Sequence, residues 1–153
     1  MVIPNPDGGV RLCIDYKRTL NDQLVASNFP MKKIYEITDS LRDSRYFCKL
    51  DLYKAYIHFL VDDASSKLQT ISTHRGTYRM KRLSYGIKTA PAEFNRAMHR
   101  IMQGLSGVEM YFDDLLVHGK SYEECYNNLR LCLMRLSENE IDVSSASDAV
   151  VAW

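Results

Sequence analysis

Alternation of apolar and polar residues opens the chain. After the turn-forming Asp7-Gly8-Gly9, the run Val10-Arg11-Leu12-Cys13-Ile14-Asp15-Tyr16 predicts a strand, paired through a hairpin with Met1-Val2-Ile3. From Pro30 the period changes: Ile34, Ile37 and Leu41 are three and four residues apart, which predicts a short amphipathic helix. Tyr46-Phe47-Cys48-Lys49-Leu50-Asp51-Leu52 is rich in β-formers with almost no solvated face, as expected of a covered central strand that carries the Asp51 carboxylate near its end.

A second hairpin is predicted from Gln69–Thr73 and Thr77–Arg82, joined across His74-Arg75-Gly76. Between Ala90 and Leu105, the residues Phe94, Met98, Ile101, Met102 and Leu105 fall at helical spacing, with Thr89 placed to cap and Pro91 tolerated in the first turn. Val108–Phe112 and Leu115–His118 are short β-rich runs separated by Asp113-Asp114, so the tightest solution is a hairpin with both carboxylates at its tip. Ser121 and Glu124 fit a capping box, and Leu129, Cys132, Leu133 and Leu136 carry a helix to about Asn139. From Ser144 the periodicity is lost and a tail is expected.

The order strand, long helix, hairpin, helix, with a β excursion after the first strand, describes an open α+β sandwich with helices on one sheet face. In that layout the strand end and the hairpin tip can be neighbours, bringing Asp51, Asp113 and Asp114 together. Close carboxylates repel unless protonated or neutralised, and Mg²⁺ suits such oxygen ligands. Two ions about 3.5–4 Å apart clamp the attacking and leaving oxygens of a phosphoryl displacement.

Composition fits one ordinary globular domain: of 153 residues, 46% are hydrophobic and 25% charged. No apolar run approaches the roughly 20 residues of a membrane-spanning helix, and the N-terminus lacks a secretory pattern. Cys13, Cys48, Cys125 and Cys132 form no close pair and read as small buried hydrophobes, which fits a reducing, cytoplasmic or nuclear setting. His58, His74, His99 and His118 show no ligand spacing. Charge is uneven along the chain. Residues 1–100 hold 17 Lys and Arg against 10 Asp and Glu, a net +7, whereas residues 101–153 hold 3 against 9, a net −6. Between Lys67 and Arg100 eight basic residues face one acid, Glu93. Such a stretch suits a polyanionic partner, or else a solvated surface balanced by the acidic half.

Five blocks in one order carry a family resemblance: "PDGGVRLCIDYKRTLN", "FPMKKIYEITDSL", "YFCKLDLYKAY", "HRGTYRMKRLSYGIKTAPAEFNRAMHRIM" and "YFDDLLVHGKSYEEC". From about Val2 to Ile141 the chain resembles the reverse transcriptase domain of gypsy-type LTR retrotransposons, part of a retrovirus-related Pol polyprotein. The resemblance implies a polymerase palm, a ferredoxin-like sheet with helices on one face, together with partial fingers and no thumb. The implied fingers are about 1–42 and 66–86, the palm about 43–65 and 87–142, and 143–153 a tail foreign to the family.

By position, the resemblance implies that Asp51, Asp113 and Asp114 are catalytic and bind two Mg²⁺ ions, with Mn²⁺ as a substitute. The carbonyl of Leu52 falls where the family supplies a further metal ligand, and the amides of Lys54 and Ala55 where it holds the triphosphate tail. Tyr56 matches the aromatic that packs under the sugar and excludes a 2′-hydroxyl, and Arg11 a fingers arginine on the incoming phosphates. Tyr85 and Gly86 match the floor of the nucleotide pocket, with a ring where gypsy-type elements usually carry Phe. Pro91, Tyr111, Phe112, Arg79 and Arg82 fall on the template and primer side. Phe94, Met98 and Met102 read as core.

The implied activity is RNA-directed DNA synthesis from deoxynucleoside triphosphates on a primed RNA or DNA template. The sequence also departs from the family. Asn5 and Pro6 replace lysines, and "DVSSASDAVVAW" after Glu140 replaces a strand carrying the lysine that serves as candidate general acid. The thumb and RNase H regions of the parent polyprotein are expected to be missing partners. Two rival readings follow: an inactive retroelement remnant retaining nucleic-acid binding, and another two-metal palm enzyme, which would leave "SYGIKTAPAEFNR" unexplained.

Overall fold

The computed structural model describes residues 2–4, 10–12, 14–27, 29–30 and 32–147, with the backbone alone for 2–4, 10–12 and 145–147. In chain order the elements are β1 (Val2–Pro4), β2 (Val10–Leu12), α1 (Ile34–Ser40), β3 (Tyr46–Leu52), a single 3₁₀ turn Ala55–His58 and α2 (Asp63–Leu68). There follow β4 (Thr70–Thr73), β5 (Gly76–Arg79), α3 (Ala90–Met102), β6 (Val108–Tyr111), β7 (Asp114–Gly119), α4 (Tyr122–Glu138) and β8 (Val143–Ser147). Two compact units form, one from residues 1–28 and 56–94, the other from 29–55 and 95–153. Residues 56–65 and 87–94 thus fold with the first unit and α1 with the second.

The second unit contains a four-stranded antiparallel sheet in the order β6-β7-β3-β8. With α3 between β3 and β6 and α4 between β7 and β8, this is the split β-α-β-β-α-β arrangement of ferredoxin-like sheets. Cys48, Leu50 and Leu52 alternate inward on β3 and meet the buried Leu115 and Val117 of β7, forming the face on which α4 packs. Lys49 and Asp51 point the other way and are exposed. The expectation of a strand covered on both faces is therefore corrected. β3 is central in its pairing, but the alternation leaves two charged side chains in water.

The expected tail is also corrected. Residues 143–147 form β8, an edge strand whose register runs Lys49↔Ser147, Leu50↔Ala146, Asp51↔Ser145 and Leu52↔Val143. The pattern Val143-Ser144-Ser145-Ala146-Ser147 carries little periodicity, and pairing comes from the edge that β3 offers. Before β8, α4 closes in a Schellman turn: the Ile141 amide donates to the Leu136 carbonyl (3.0 Å) and the Glu140 amide to Ser137 (3.1 Å), with Glu140 at φ 56°.

The first unit is built on Tyr16, Leu83, Ile87 and Ala90, against which Ile14, Leu20, Leu24 and Phe59 pack. β4 and β5 form a two-stranded hairpin with a turn at His74-Arg75, one residue shorter than expected, and β5 ends at Arg79 rather than Arg82. α2 went unpredicted: Asp62 caps it by accepting from the Ser65 amide (2.6 Å), which holds the Asp62 carboxyl below its usual range. The predicted strand through Tyr16 is limited to Val10–Leu12, and residues 14–16 carry no regular secondary structure. The predicted turn Asp7-Gly8-Gly9 and Cys13 lie outside the described residues. The helix expected from Pro30 begins at Ile34, after Lys33 at ψ 154°. α3 ends at Met102, short of Leu105. Among the described residues no helix is long and apolar enough to cross a membrane.

Candidate active site

A two-residue turn, Phe112-Asp113, joins β6 to β7. Phe112 has φ 53°, the sign that a primed hairpin turn needs at its first central position and that a bulky residue adopts only under strain. Tyr111 and Asp114 close the turn as register partners. On its other edge β7 pairs with β3, and that register sets Asp114 directly opposite Asp51. Opposed residues of an antiparallel pair share a sheet face with Cα atoms about 4.5–5.5 Å apart, so 62 residues of intervening chain end in two facing carboxylates.

Both carboxylates are held by the sheet. Lys49, two residues before Asp51 on the same face, places Nζ 2.8 Å from Asp114 Oδ2, and this contact raises the lysine pKa. The Ser144 hydroxyl of β8 donates to the Asp51 carbonyl (3.0 Å) and to Asp51 Oδ2 (3.2 Å). A register irregularity toward β8 falls between Asp51 and Leu52, a bulge of the kind that re-aims a neighbouring side chain. Asp113, in the turn, is half-buried. Among the described residues no three His, Cys, Asp or Glu side chains gather closely enough to hold a metal ion. The expected trio is therefore realised as a facing pair, Asp51 and Asp114, with Asp113 beside it in sequence. The donors are all oxygen and already attract a cation, the Lys49 ammonium, which fits a hard divalent ion.

The other predicted residues divide between the two units. In the sheet unit, Leu52 is buried, Lys54 takes φ 47° just past β3, and Ala55 is buried at the start of the 3₁₀ turn. Tyr111 and Phe112 are exposed and meet edge to face at 4.7 Å. Beside them lies a cavity of about 310 Å³, lined among others by Phe29, His99, Met102 and Glu109. Glu109 is 7% exposed and accepts from Lys32 Nζ at 2.6 Å, which compensates the charge of a buried carboxylate.

In the other unit the Tyr56 ring lies 5.0 Å from Tyr85 and 5.2 Å from Phe94. Gly86 has φ 94°, and a Cβ there would press on the Ile14 carbonyl, so the close approach requires glycine. Asn21, which sequence reasoning passed over, clamps this loop: its amide donates to the Gly86 carbonyl (2.8 Å) and its oxygen accepts from the Lys88 amide (2.8 Å). Arg82 donates to the carbonyls of Ile57 (3.1 Å) and His58 (2.9 Å), and Arg79 pairs loosely with Asp63 (3.8 Å). Pro91 is exposed in the first turn of α3. The side chain of Arg11 lies outside the described residues. Phe94 and Met98 are buried, as expected of core, whereas Met102 is half-buried and lines the cavity. Cys48, Cys125 and Cys132 are buried too, and burial raises the Cys132 thiol to about 11.

Residues 3–146 match the reverse transcriptase (RNA-dependent DNA polymerase) family, and the chain belongs to it. Among curated relatives, the retrovirus-related Pol polyprotein from transposon 412 of Drosophila melanogaster is 39% identical over 121 residues, which is 78% of this chain and 10% of that polyprotein. That from transposon opus of the same fly is 32% identical over 143 residues, 92% of this chain and 14% of the polyprotein. The chain thus spans about a tenth of such relatives. A foamy viral protease-reverse transcriptase solved with double-stranded DNA shares the fold, with TM-score 0.82 and 22% identity over 94% of this chain and 25% of that one. The match extends four residues past Asp142, into the segment expected to be foreign to the family, in keeping with the β8 pairing.

Proposed function

We propose that the chain is the palm-bearing part of an RNA-directed DNA polymerase, extending a primer 3′-hydroxyl with deoxynucleotides on an RNA or DNA template. The observation that carries this reading is the β3–β7 register, which opposes Asp51 and Asp114 at the hairpin turn that also carries Asp113. Family membership supports it. A related fold solved with double-stranded DNA supports a nucleic-acid partner.

In this reading Asp51, Asp113 and Asp114, with the Leu52 carbonyl, hold Mg²⁺, two ions in the working complex. Magnesium, when bound, supplies a Lewis acid that activates the attacking hydroxyl and neutralises the leaving pyrophosphate. The rest is positioning by the chain. The strained turn at Phe112 fixes the direction in which Asp113 and Asp114 leave the sheet. The amides of Lys54 and Ala55 and the guanidinium of Arg11 hold the triphosphate. Tyr56, braced by Tyr85 and Phe94, packs under the sugar where a 2′-hydroxyl would clash. Tyr85 and Gly86 floor the nucleotide site, and Pro91, Tyr111, Phe112, Arg79 and Arg82 meet template and primer. The internal bonds of Arg82 leave it a supporting rather than a leading contact.

A second reading, binding without catalysis, is favoured by the gathering of two rather than three acidic side chains. The test that separates the two is primer extension on an RNA template in Mg²⁺, with the chain joined to the downstream segment of a transposon relative. The first reading expects extension that falls roughly 10³-fold in Asp51→Asn and Asp114→Asn while template binding persists. Extension that survives Asp114→Asn, or binding with no extension at all, overturns it.

A further inference from the structure

Two carboxylates set directly opposite on neighbouring strands repel, and a sheet that keeps them there needs a positive charge nearby. The only cation the described residues place on Asp114 is Lys49, whose ammonium sits 2.8 Å from Oδ2. Lys49 and Asp51 alternate with the buried Cys48, Leu50 and Leu52, so both project from the same exposed face. On that face Ser144 holds the Asp51 carboxylate from the opposite edge of β3. The pair is thus bracketed, with Lys49 on one member and Ser144 on the other.

We propose that Lys49 is a built-in competitor of the divalent cation: it holds the Asp51 and Asp114 pair together when no metal is bound, and it sets how tightly a metal binds there. The inference rests on the proposed metal site and adds to it a residue that lowers rather than raises cation affinity. The ammonium already occupies Asp114 Oδ2, so a divalent ion drawing on the same carboxylate meets a resident positive charge. Tight binding of the ion is therefore favoured when the lysine releases Oδ2, which its flexible four-carbon stem and half-exposed position allow. The consequence is a site whose metal-free form is charge-compensated and correctly registered, and whose affinity is held down so that loading responds to the additional phosphate oxygens a nucleotide brings.

The probe is Mn²⁺ alone, titrated into the full chain and followed by loss of the free-ion paramagnetic signal, with melting in excess EDTA as a metal-independent measurement. Lys49→Met, which keeps the stem and removes the charge, should tighten Mn²⁺ binding about 2- to 5-fold, a range appropriate to loss of an exposed ion pair. Lys49→Arg should stay near the unsubstituted chain, and Asp114→Asn should weaken binding in either background. In EDTA, Lys49→Met should melt below the unsubstituted chain and regain the difference when Mn²⁺ is added, which a purely structural lysine would not do. Unchanged or weaker Mn²⁺ binding in both Lys49→Met and Lys49→Gln overturns the competitor role and leaves the metal site standing. Absence of saturable binding in every variant overturns the metal site itself and the competitor role with it.

Discussion

Two antiparallel hairpins of this molecule are each closed by two residues, and they carry opposite charge. β6 and β7 turn at Phe112-Asp113 and present acids, while β4 and β5 turn at His74-Arg75 and are flanked by bases. The acidic hairpin belongs to a four-stranded sheet, where β7 has a partner on each side and Leu115 and Val117 are fully buried. The basic hairpin stands as a two-stranded sheet in which every residue is exposed except the half-buried Ile71. Slipping β7 by one residue would expose Leu115 and Val117 and bury Asp114, whereas slipping β4 would cost little more than Ile71. In the proposed reading, chemistry that depends on two carboxylates facing each other would sit where burial enforces the register, and contacts to a polyanion, which tolerate displacement, would suit the hairpin where burial does not.

The glycines that open the second strand of one hairpin and the first of the other break this comparison most directly. Gly107, at φ 65°, leads into β6, and a Cβ there would press on the His118 carbonyl and the Asn128 side chain, two groups already bonded to each other. Gly107→Ala should cost roughly 3 kcal/mol or more in urea denaturation, through overpacking together with left-handed strain. Gly76, at φ 128°, opens β5 with nothing within 4 Å of a Cβ, so Gly76→Ala should cost only the backbone term, roughly 1–2 kcal/mol. Equal losses would mean that the two hairpins are equally constrained. The next largest effect is expected from the side chains: Leu115→Ala should cost about 2–5 kcal/mol and Ile71→Ala about 1, measured the same way.

The same contrast explains what could be read from sequence. α3 and α4 were legible because apolar periodicity and burial coincide in them; β3 and the acidic hairpin were legible in outline only, since Lys49 and Asp51 are exposed and the turn falls at Phe112-Asp113, one residue before the expected Asp113-Asp114, which leaves Asp114 at the start of β7. β8 was not: Ser144, Ser145 and Ser147 have no pattern of their own, and the strand exists because β3 offers an unpaired edge. α2 is only six residues long and signals itself through the Asp62 cap alone. Lys49 and Ser144 were invisible as site residues for a related reason. Which charge meets which carboxylate depends on the β3–β7 and β3–β8 registers, quantities that no local window contains. Asn21 likewise acts on a loop 65 residues away.

A smaller effect, confined to the sheet unit, is expected from pH. His118 on β7 is 9% exposed, its ring meets the Ser44 hydroxyl at 2.7 Å, and burial lowers its pKa below the ordinary 6.5 despite the nearby Glu109 and Glu124. A histidine whose folded pKa is depressed binds its proton more readily when unfolded. Its contribution is therefore intact above about pH 6.5 and is lost as the pH falls from there toward the folded value. Unfolding free energy should decline over that window, and His118→Gln should flatten the decline. A variant that loses stability as steeply as the parent would place the titration elsewhere.

The smallest effect expected is a gain, at the turn that delivers β8 to the β3 edge. Glu140 occupies the left-handed position of the Schellman turn at φ 56°, where a side chain is disfavoured and glycine is not. Its neighbours already satisfy the motif: Leu136 and Ile141 are buried, and the Ile141 amide donates to the Leu136 carbonyl. Glu140→Gly therefore removes strain without removing a contact, although the greater freedom of glycine in the unfolded chain offsets part of the benefit. Relief of a left-handed penalty of about 1–2 kcal/mol, less about 0.4–1 kcal/mol for the freer unfolded chain, leaves an expected net stabilisation of roughly 0.5–1 kcal/mol in thermal or urea unfolding. Because the turn sets where β8 begins, the gain should appear as slower hydrogen exchange at the Tyr53 amide, which donates to the Asp142 carbonyl at 2.9 Å. A stabilised chain with unchanged exchange at Tyr53 would show that α4 closes independently of β8, and that the edge strand holding Asp51 is positioned by its pairing with β3 alone.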